Sequence, residues 1–177
     1  LVFSPRGAST RLFSALAAAP VLVLPGRGAM RVQPVHLDDV VDGVLALLRH
    51  PPGQVQTVAF VGPQSLSLRE YLGELRRQLG WGARQAVLPM PVPWFKAGAR
   101  IAGHLPGSAL DAETADMLLA GNAAPPEPMA QILGRPARAV QAFVVPVQAP
   151  QLRTAAALAL GVPLLRIALA AMWIWTG

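Results

Sequence analysis

The sequence predicts an α/β chain that ends in an apolar helix. Two observations lead to this fold class: short β-type runs alternate with amphipathic helical patterns, and the last part of the chain is almost free of polar residues. The β-type runs cover residues 21–24, 32–36 and 55–61. A further strand is expected at the start, where residues 1–3 are apolar.

The first predicted helix follows the second β-type run. Apolar residues recur at helical spacing between Val40 and Leu48, and a pair of prolines ends the pattern. Asp39 precedes this stripe, where its carboxylate can accept hydrogen bonds from the free N–H groups of a first turn. We therefore expect Asp39 to be the N-cap of this helix and a structural residue. His36 is expected to be a packed core or interface histidine.

The segment from Ser67 to Gly80 carries the clearest helix signal. Ser67 and Glu70 have the spacing of a capping box, in which each side chain binds the backbone N–H of the other. A regular apolar stripe follows, and Gly80 closes the helix. The stripe consists of Leu68, Tyr71, Leu72, Leu75 and Leu79.

Proline-rich connections separate the remaining elements. Three prolines between residues 89 and 93 mark an extended connection, and the last of them suits the first turn of a helix to about residue 104. Another helix is expected over residues 111–120. Residues 129–133 are predicted to form a short turn, and residues 143–145 a final strand or docking segment.

The C-terminus, from Leu164 onward, is apolar apart from Arg166. A membrane span needs about 20 such residues. A buried amphipathic helix and the first part of a transmembrane helix both remain open, and the lack of a polar face after Arg166 favours the transmembrane helix. Arg153 and Arg166 would then hold the preceding end in the cytoplasm.

Composition excludes several classes of function. Of the 177 residues 53% are hydrophobic and 14% charged, so the chain is expected to fold. It has no cysteine, which excludes disulfides, thiolate metal sites and a cysteine nucleophile, and its three histidines are too dispersed for a metal site. The net charge is +6, but the arginines are scattered and form no basic stripe with aromatic partners. We expect no metal and no nucleic-acid partner.

No motif nominates a catalytic residue. Gly26 and Gly28 follow an apolar strand, but Arg31 replaces the third glycine of a dinucleotide fingerprint and an extended segment follows where a helix must open. We therefore expect a loop there. Asp38 and Asp39 are adjacent and do not face a common substrate, and no nucleophile elbow is present.

Several segments, in order, resemble a known enzyme family. They are the strand and turn of residues 1–7, the stretch 31–41 with its Arg-x-x-x-Val-His-Leu-x-Asp-Val-Val pattern, and the segment 65–71. Residues 1 to about 143 resemble the C-terminal half of an extended or atypical short-chain dehydrogenase/reductase, the family of NAD(P)-dependent epimerases and dehydratases. The resemblance implies a partial Rossmann-like domain with a helical substrate lid.

The downstream segments resemble a bacterial subgroup in which a DoxX-like membrane domain follows the reductase domain. This likeness is carried by residues 105–108, 110–111, 117–118, 121–122, 133–135 and 164–177. It implies an NAD(P)-binding part over residues 1–147, a linker over 148–163 and the start of a transmembrane region over 164–177. The expected location is the cytoplasmic face of a bacterial inner membrane.

The resemblance also implies where ligands bind. Ser4 and Pro5 would lie near the nicotinamide end of NAD or NADP, with Ser4 standing where the family usually has glycine. Arg31 would hold a substrate diphosphate by bidentate hydrogen bonds, although a surface salt bridge is an equal alternative for it. The family's Tyr-x-x-x-Lys dyad cannot be assembled, because the only tyrosine, Tyr71, has a leucine four residues on. We expect no catalytic residue in this chain.

These observations predict a part of a larger enzyme. Because the chain starts within a strand and stops within an apolar helix, we expect the substrate-side portion of a membrane-tethered NAD(P)-dependent oxidoreductase or epimerase, incomplete as a catalyst. Its partners would be the missing N-terminal half of the same domain, the membrane and an unknown small-molecule substrate. Two alternatives remain: a non-catalytic dinucleotide-binding sensor or assembly factor, NmrA-like or complex I accessory-like, and a free-standing membrane-associated helical protein.

Overall fold

Short strands and helices alternate along the chain, as a computed structural model shows for residues 1–51, 53–82, 84–104 and 111–176. The elements are β1 (Val2–Phe3), α1 (Ala8–Ala18), β2 (Val21–Pro25), β3 (Arg31–Val32), β4 (Val35–His36), α2 (Leu37–Arg49), β5 (Leu66–Ser67), α3 (Leu68–Gln78), β6 (Ala86–Met90), α4 (Val92–Ala102), α5 (Ala112–Ala120), α6 (Glu127–Leu133) and α7 (Ala149–Thr176). Two 3-10 turns, Gly26–Gly28 and Val140–Ala142, lie between them.

The strands of the described residues form three separate pairs. Strands β1 and β4 run parallel, with Val2 opposite Val35. Strands β2 and β6 also run parallel over five residue pairs, and β3 pairs with β5 in antiparallel orientation. Parallel pairs joined by helical crossovers are the units from which α/β folds are built.

Most of the predicted elements are confirmed. The strands at residues 21–24 and 32–36 are present as β2, β3 and β4, and the predicted helices correspond to α2 through α5. The capping box also forms: the Ser67 N–H donates to a Glu70 carboxylate oxygen at 2.8 Å, and the Glu70 N–H donates to the Ser67 hydroxyl at 3.2 Å. This exchange fixes the start of α3.

The predicted N-cap of α2 is wrong. The helix begins at Leu37, and the N-cap is His36, whose Nδ1 accepts a hydrogen bond from the Asp38 N–H at 3.2 Å. Asp39 lies inside the first turn, and its carboxylate is fully buried against the segment that follows α6. The Asp39 carboxylate accepts hydrogen bonds from the Arg135 guanidinium and the Arg138 N–H instead of from the free N–H groups at the start of α2.

The strand predicted at residues 55–61 is absent. A strand forms only where its backbone finds a partner, and no described strand pairs with this segment. Val55 is fully exposed, whereas Val61 and Gly62 at the other end are buried.

Three further elements differ from expectation. The sequence analysis did not predict α1, and it assigned an extended connection where β6 pairs with β2. Residues 129–133 are the end of a helix, α6, rather than a turn. Residues 143–145 are not a strand; Phe143 is completely buried, so this segment docks onto the core.

The main core is built around the apolar stripe of α3. Tyr71, Leu72 and Leu75 are almost inaccessible to solvent, and Phe13 of α1 meets the Tyr71 ring edge-on at 5.6 Å between centroids. Phe143 closes the core from the C-terminal side and lies 5.0 Å from the ring of Phe3. A smaller cluster of Val35, Met129 and Ala137 lies beside α2 and α6.

Helix α7 has two parts with different surroundings. Leu152 and Ala156 are buried, and this part of the helix packs on α1. From residue 157 to 176 the side chains are exposed except for one half-buried residue, although the helix is apolar, with a mean hydropathy of 2.0 in its most apolar window. It is the one described helix long and apolar enough to cross a membrane. Residues 149–163, assigned to a linker, are helical and continuous with the apolar part.

Gly62 allows a close backbone approach that holds the end of the exposed loop. A Cβ atom at this position would lie 2.0 Å from the carbonyl oxygen of Pro34, a contact that requires the backbone to shift. The Gly62 carbonyl in turn accepts a hydrogen bond from the Gln33 amide at 2.7 Å. The loop of residues 53–62 is therefore tied to the connection between β3 and β4.

We expect Gly62→Ala to lower the free energy of unfolding by about 1–3 kcal/mol, because overpacking displaces Pro34. Gly53→Ala is the matched control, since nothing lies within 4 Å of a Cβ there, and its effect should stay within about 0.5 kcal/mol. Urea unfolding of both variants in detergent micelles measures the difference. Equal stability of the two variants would show that the close approach is absent.

Candidate functional site

An apolar cavity of about 510 Å³ lies between the strand pair β2–β6, helix α1 and the helices α4 and α5. Its size is within the range of about 300–1,000 Å³ that is usual for small-molecule sites. The apolar cavity is lined by Leu1, Ser9, Leu12, Phe13, Leu16, Val23, Leu24, Pro25, Val32, Leu68, Met90, Trp94, Phe95, Gly98, Ala99, Thr114, Met117, Leu118 and Asn122.

Local sequence explains how α4 forms one wall. Strand β6 ends at Met90, and Pro93 lies in the first turn of α4, where its missing N–H costs no helical hydrogen bond. The helix thus begins immediately after the strand and presents Trp94 and Gly98, one turn apart, to the apolar cavity. Gly98 leaves space there, because nothing lies within 4 Å of a Cβ atom built on it.

The polar groups of the apolar cavity are few and neutral. They belong to Ser9, Thr114 and Asn122, and no acidic, basic or histidine side chain is among the described lining residues. The Ser9 hydroxyl donates to the Val2 carbonyl at 3.3 Å, so it is anchored to β1. Such a lining favours uncharged ligands, because a buried unpaired charge is strongly disfavoured.

The structure places Ser4 and Pro5 in the turn between β1 and α1, at the carboxyl end of β1. The Ser4 N–H donates to the Thr10 hydroxyl at 3.1 Å, and its carbonyl accepts from the Gly7 N–H at 2.9 Å. Within the described residues the Ser4 hydroxyl itself has no hydrogen-bond partner. In open α/β sheets ligands bind outside the carboxyl ends of the strands. The cofactor contact of Ser4 and Pro5 stays a prediction.

Arg31 lies on β3, and its guanidinium does not line the apolar cavity. The Nη2 group donates to the Ser65 carbonyl at 2.6 Å, and Nε donates to the Ser65 hydroxyl at 3.2 Å. The side chain is exposed and held to the start of β5. Its binding of a substrate diphosphate stays a prediction.

A cluster of charged side chains joins α2 to the segment after α6. Asp39, which is completely buried, accepts from Arg135 Nη2 at 2.7 Å and from the Arg138 N–H at 2.6 Å. The same Arg135 guanidinium reaches Asp42 at 2.9 Å. The hydrogen bond to Asp39, and to a smaller extent the contact with Asp42, raise the pKa of Arg135. This cluster, the Asp39 network, is structural, because its carboxylates are paired and lie away from the lining of the apolar cavity.

His36 is buried, as the sequence analysis predicted. Its ring packs against Phe3 and Phe143 at 5.6 Å between centroids. Nδ1 faces two donors, the Asp38 N–H and Arg138 Nη1, both at 3.2 Å, so this nitrogen carries no proton. Burial, and then the nearby Arg138 charge, lower the pKa of His36. The neutral imidazole therefore caps α2 at neutral pH.

Neither Tyr71 nor a metal site provides a catalytic group in the described part of the chain. Burial raises the pKa of the Tyr71 phenol far above its usual range, so this side chain stays protonated inside the core. Residues 1–51, 53–82, 84–104 and 111–176 contain no cluster of His, Asp or Glu that could hold a metal ion.

Sequence reasoning missed the apolar cavity because its lining comes from nine separate parts of the chain. The sequence held one signal, since Trp94 and Met117 are large apolar residues in short predicted helices. In the structure they are 76% and 61% exposed. A pattern on a single helix cannot show that two such faces converge, since the convergence depends on the pairing of β2 with β6 and on the packing of α4 against α5.

Solved structures with this fold include two enzymes. A nucleoside-diphosphate-sugar epimerase from Staphylococcus aureus matches with a TM-score of 0.54 at 19% identity, over 76% of this chain and 47% of that protein. An NADPH-dependent quinone oxidoreductase from Escherichia coli, in complex with NADPH, matches with a TM-score of 0.54 at 18% identity, over 76% and 48%. A second structure of that quinone oxidoreductase matches with a TM-score of 0.53 at 19% identity, over 76% of this chain and 49% of that protein.

These likenesses show the fold alone: the chain is mixed α/β and mostly helical, and its structural neighbours have a Rossmann-like NAD(P)-binding fold. The chain spans about half the length of each of these proteins. No protein-family model matches the chain, and no curated protein matches it.

We expect Asp39→Asn to lower the free energy of unfolding by about 3 kcal/mol, because the buried side chain loses its charge-assisted hydrogen bonds from Arg135 and the Arg138 N–H. Asp42→Asn removes an exposed carboxylate from the same guanidinium and should cost less than about 1 kcal/mol. Urea unfolding of both variants tests the contrast. Losses of equal size would show that Asp39 does not hold α2 to the following segment.

Proposed function

We propose that this chain is the substrate-side portion of an NAD(P)-dependent oxidoreductase or epimerase, tethered to a membrane by α7. The observation that carries the proposal is a Rossmann-like fold with an apolar cavity between the strand pair β2–β6 and the helices α4 and α5. One fold neighbour is named an NADPH-dependent quinone oxidoreductase and was crystallised with NADPH. Another is named a nucleoside-diphosphate-sugar epimerase.

The residues present fit one end of the dinucleotide. Ser4 lies at the carboxyl end of a parallel strand, where α/β folds bind ligands, and its hydroxyl has no partner among the described residues. The chain offers no glycine-rich phosphate-binding turn, so the pyrophosphate would be held by an N-terminal half of the same domain. When bound, the nicotinamide supplies or accepts a hydride. In this arrangement Ser4 and Pro5 would orient the nicotinamide end, and the apolar cavity would hold the substrate and exclude water.

Two unpartnered apolar surfaces support a missing half of the domain. One face of α2 exposes Val41, Val44, Leu45 and Leu48, and Leu48 is 73% exposed. The segment of residues 55–61 has the composition of a strand but no strand partner among the described residues. Apolar residues at helical spacing normally face a core. A sheet extended by the N-terminal half would cover α2 and pair with the segment of residues 55–61.

The membrane tether is supported by the surroundings of α7. Its 28 residues include a long exposed apolar part with Arg166 as the only charged residue after Arg153. With Arg166 at the cytoplasmic interface, the residues from 167 to 176 rise about 15 Å at 1.5 Å per residue and would form the first half of a membrane span, since the hydrocarbon core is about 30 Å thick. At the other end, the Arg153 guanidinium lies 5.7 Å from the centre of the Trp81 ring and ties the helix to the α/β part. We place that part on the cytoplasmic side.

The cofactor test joins this chain to the preceding residues of its gene product. The joined protein should bind NADPH or NADH, detected by enhanced nicotinamide fluorescence. Ser4→Trp should weaken the binding at least about tenfold, or about 1.4 kcal/mol, because the larger ring occupies the nicotinamide position. Gln64→Trp in an exposed loop is the matched control and should leave the affinity unchanged.

Three outcomes separate the hypotheses. Binding with reduction of a carbonyl or quinone substrate supports the enzyme. Binding without turnover favours the non-catalytic sensor or assembly factor. Failure of the joined, folded protein to bind either dinucleotide contradicts the proposal.

The membrane test compares two double variants of the chain. We expect the unmodified chain to remain in the membrane after carbonate extraction. Ile167→Asp with Ile174→Asp should release it, because each charge within the apolar part costs up to about 2.5–3.5 kcal/mol. Leu48→Asp with Ile101→Asp adds the same charges to exposed apolar positions outside α7 and should not release it. Extraction of the unmodified chain into the soluble fraction would contradict the tether.

A further inference from the structure

We infer that the apolar cavity binds an uncharged, predominantly apolar small molecule, and that this molecule is the substrate class of the proposed enzyme. The assignment as a substrate rests on the proposed function, whereas binding itself does not. Nucleotide sugars and other phosphorylated compounds are thereby excluded from the apolar cavity.

The lining carries the chemical argument. The side chains of Leu12, Phe13, Leu16, Met90, Met117 and Leu118 form apolar walls, and charged side chains are absent from the described lining. A diphosphate placed there would lose its hydration and find only neutral hydroxyl and amide groups in return, a large cost in free energy. The nearest candidate for an anion partner, Arg31, directs its guanidinium to Ser65 and does not line the apolar cavity.

Aromatic and thioether groups indicate what the apolar cavity favours. Trp94 lines the apolar cavity and is 76% exposed, so one face of its indole is available to a ligand ring. Met90 and Met117 supply flexible, polarisable contacts that adapt to planar or irregular apolar shapes. Ser9, Thr114 and Asn122 can satisfy one or two hydrogen-bonding groups of a ligand and thereby set its orientation.

The position of the apolar cavity fits a site of reaction rather than a passive void. Leu1 and Ser9 both line it, and they flank the turn that contains Ser4 and Pro5. The hydrogen bond between Ser9 and the Val2 carbonyl keeps this side of α1 against β1. A ligand in the apolar cavity therefore lies beside the turn at which we propose the nicotinamide.

A small molecule, and not a protein segment, is the occupant to which these observations point. The volume of about 510 Å³ suits one small organic molecule, and the helices α1, α4 and α5 and the strand pair β2–β6 enclose it on several sides. Space at Gly98 is part of that volume, since a Cβ there would meet no atom within 4 Å. A leucine at this position begins from an unobstructed Cβ and extends its side chain at the lining of the apolar cavity.

Photolabelling with benzophenone, an uncharged apolar probe that reacts readily with methionine C–H bonds, tests the inference. The full chain in lipid nanodiscs is irradiated, and labelled peptides are identified by mass spectrometry. We expect saturable labelling at Met90 and Met117. Met172, 51% exposed on α7, should be labelled in proportion to probe dissolved in the lipid and serves as the internal reference.

Gly98→Leu should reduce the labelling of Met90 and Met117 about tenfold relative to Met172, which corresponds to about 1.4 kcal/mol of binding free energy. Gly73→Leu is the matched control, because it introduces the same side chain at an open glycine of α3, outside the apolar cavity. It should leave the labelling unchanged. Gly98→Ala, a smaller substitution less able to disturb the fold, should reduce labelling only slightly.

Excess 2-naphthol, an uncharged competitor, should suppress the labelling, and uridine diphosphate glucose should not. Suppression by the nucleotide sugar overturns the inference, as does non-saturable labelling or equal labelling in Gly98→Leu and Gly73→Leu chains that unfold at the same temperature. No dinucleotide is present in this experiment. A negative labelling result therefore does not contradict NADPH binding by the joined protein. Likewise, failure of the joined protein to bind NADPH does not contradict this ligand site.

Discussion

The fold depends on the buried guanidinium of Arg76. Its Nη1 group donates to the carbonyl oxygens of Ala17, Ala18 and Ala19, at 2.6, 3.3 and 3.1 Å, where α1 ends and the chain turns into β2. These carbonyls have lost their helical partners and carry the negative end of the helix dipole, so a cation is stabilising there. The Gln85 amide donates to the same helix end. One side chain of α3 thus holds the end of α1, from which the chain turns into β2.

The candidate site follows from that connection. Helix α1, strand β2 and the start of α3 form one side of the apolar cavity, and the pairing of β2 with β6 brings α4 over it. The Asp39 network lies away from the lining of the apolar cavity and holds α2 to the segment that leads to Phe143. Charged groups therefore organise the framework, while the ligand cavity contains none among its described lining residues. This separation keeps the cavity free of fixed charges.

Helix α7 joins the candidate site to a second environment. Its first part packs on α1, the same helix that supplies Leu12 and Leu16 to the apolar cavity. Its second part exposes apolar side chains with no partner among the described residues, which is costly in water and stabilising in lipid. The proposed apolar substrate and the proposed membrane tether are mutually consistent, because a bilayer would concentrate uncharged apolar molecules near a tethered protein.

Local signals in the sequence predicted the elements whose cause is local. The capping box of Ser67 and Glu70, the stripe of α3 and the proline in the first turn of α4 depend on neighbouring residues alone. The predictions that were wrong depend on distant contacts. Asp39 is drawn to Arg135 and Arg138 almost 100 residues away instead of capping α2.

The pairing of strands and the convergence of site residues were equally beyond local reasoning. Residues 55–61 have the composition of a strand, but pairing needs a second strand. Ser4, Pro5 and Arg31 were found by family likeness, whereas the lining of the apolar cavity appears only when α4 and α5 pack together. Residues 105–108, which carry part of the family likeness, lie outside the described residues. Strand pairing and the lining of the apolar cavity therefore depend on long-range packing, which local sequence patterns do not predict.

The most direct test is an experimental structure of this chain joined to the preceding residues of its gene product, with NADPH bound. The account predicts a nicotinamide ring against the Ser4–Pro5 turn, facing an apolar cavity open to a small molecule, and a completed sheet that covers α2. A dinucleotide bound away from the end of β1, or an N-terminal segment of the protein filling the apolar cavity, would contradict it.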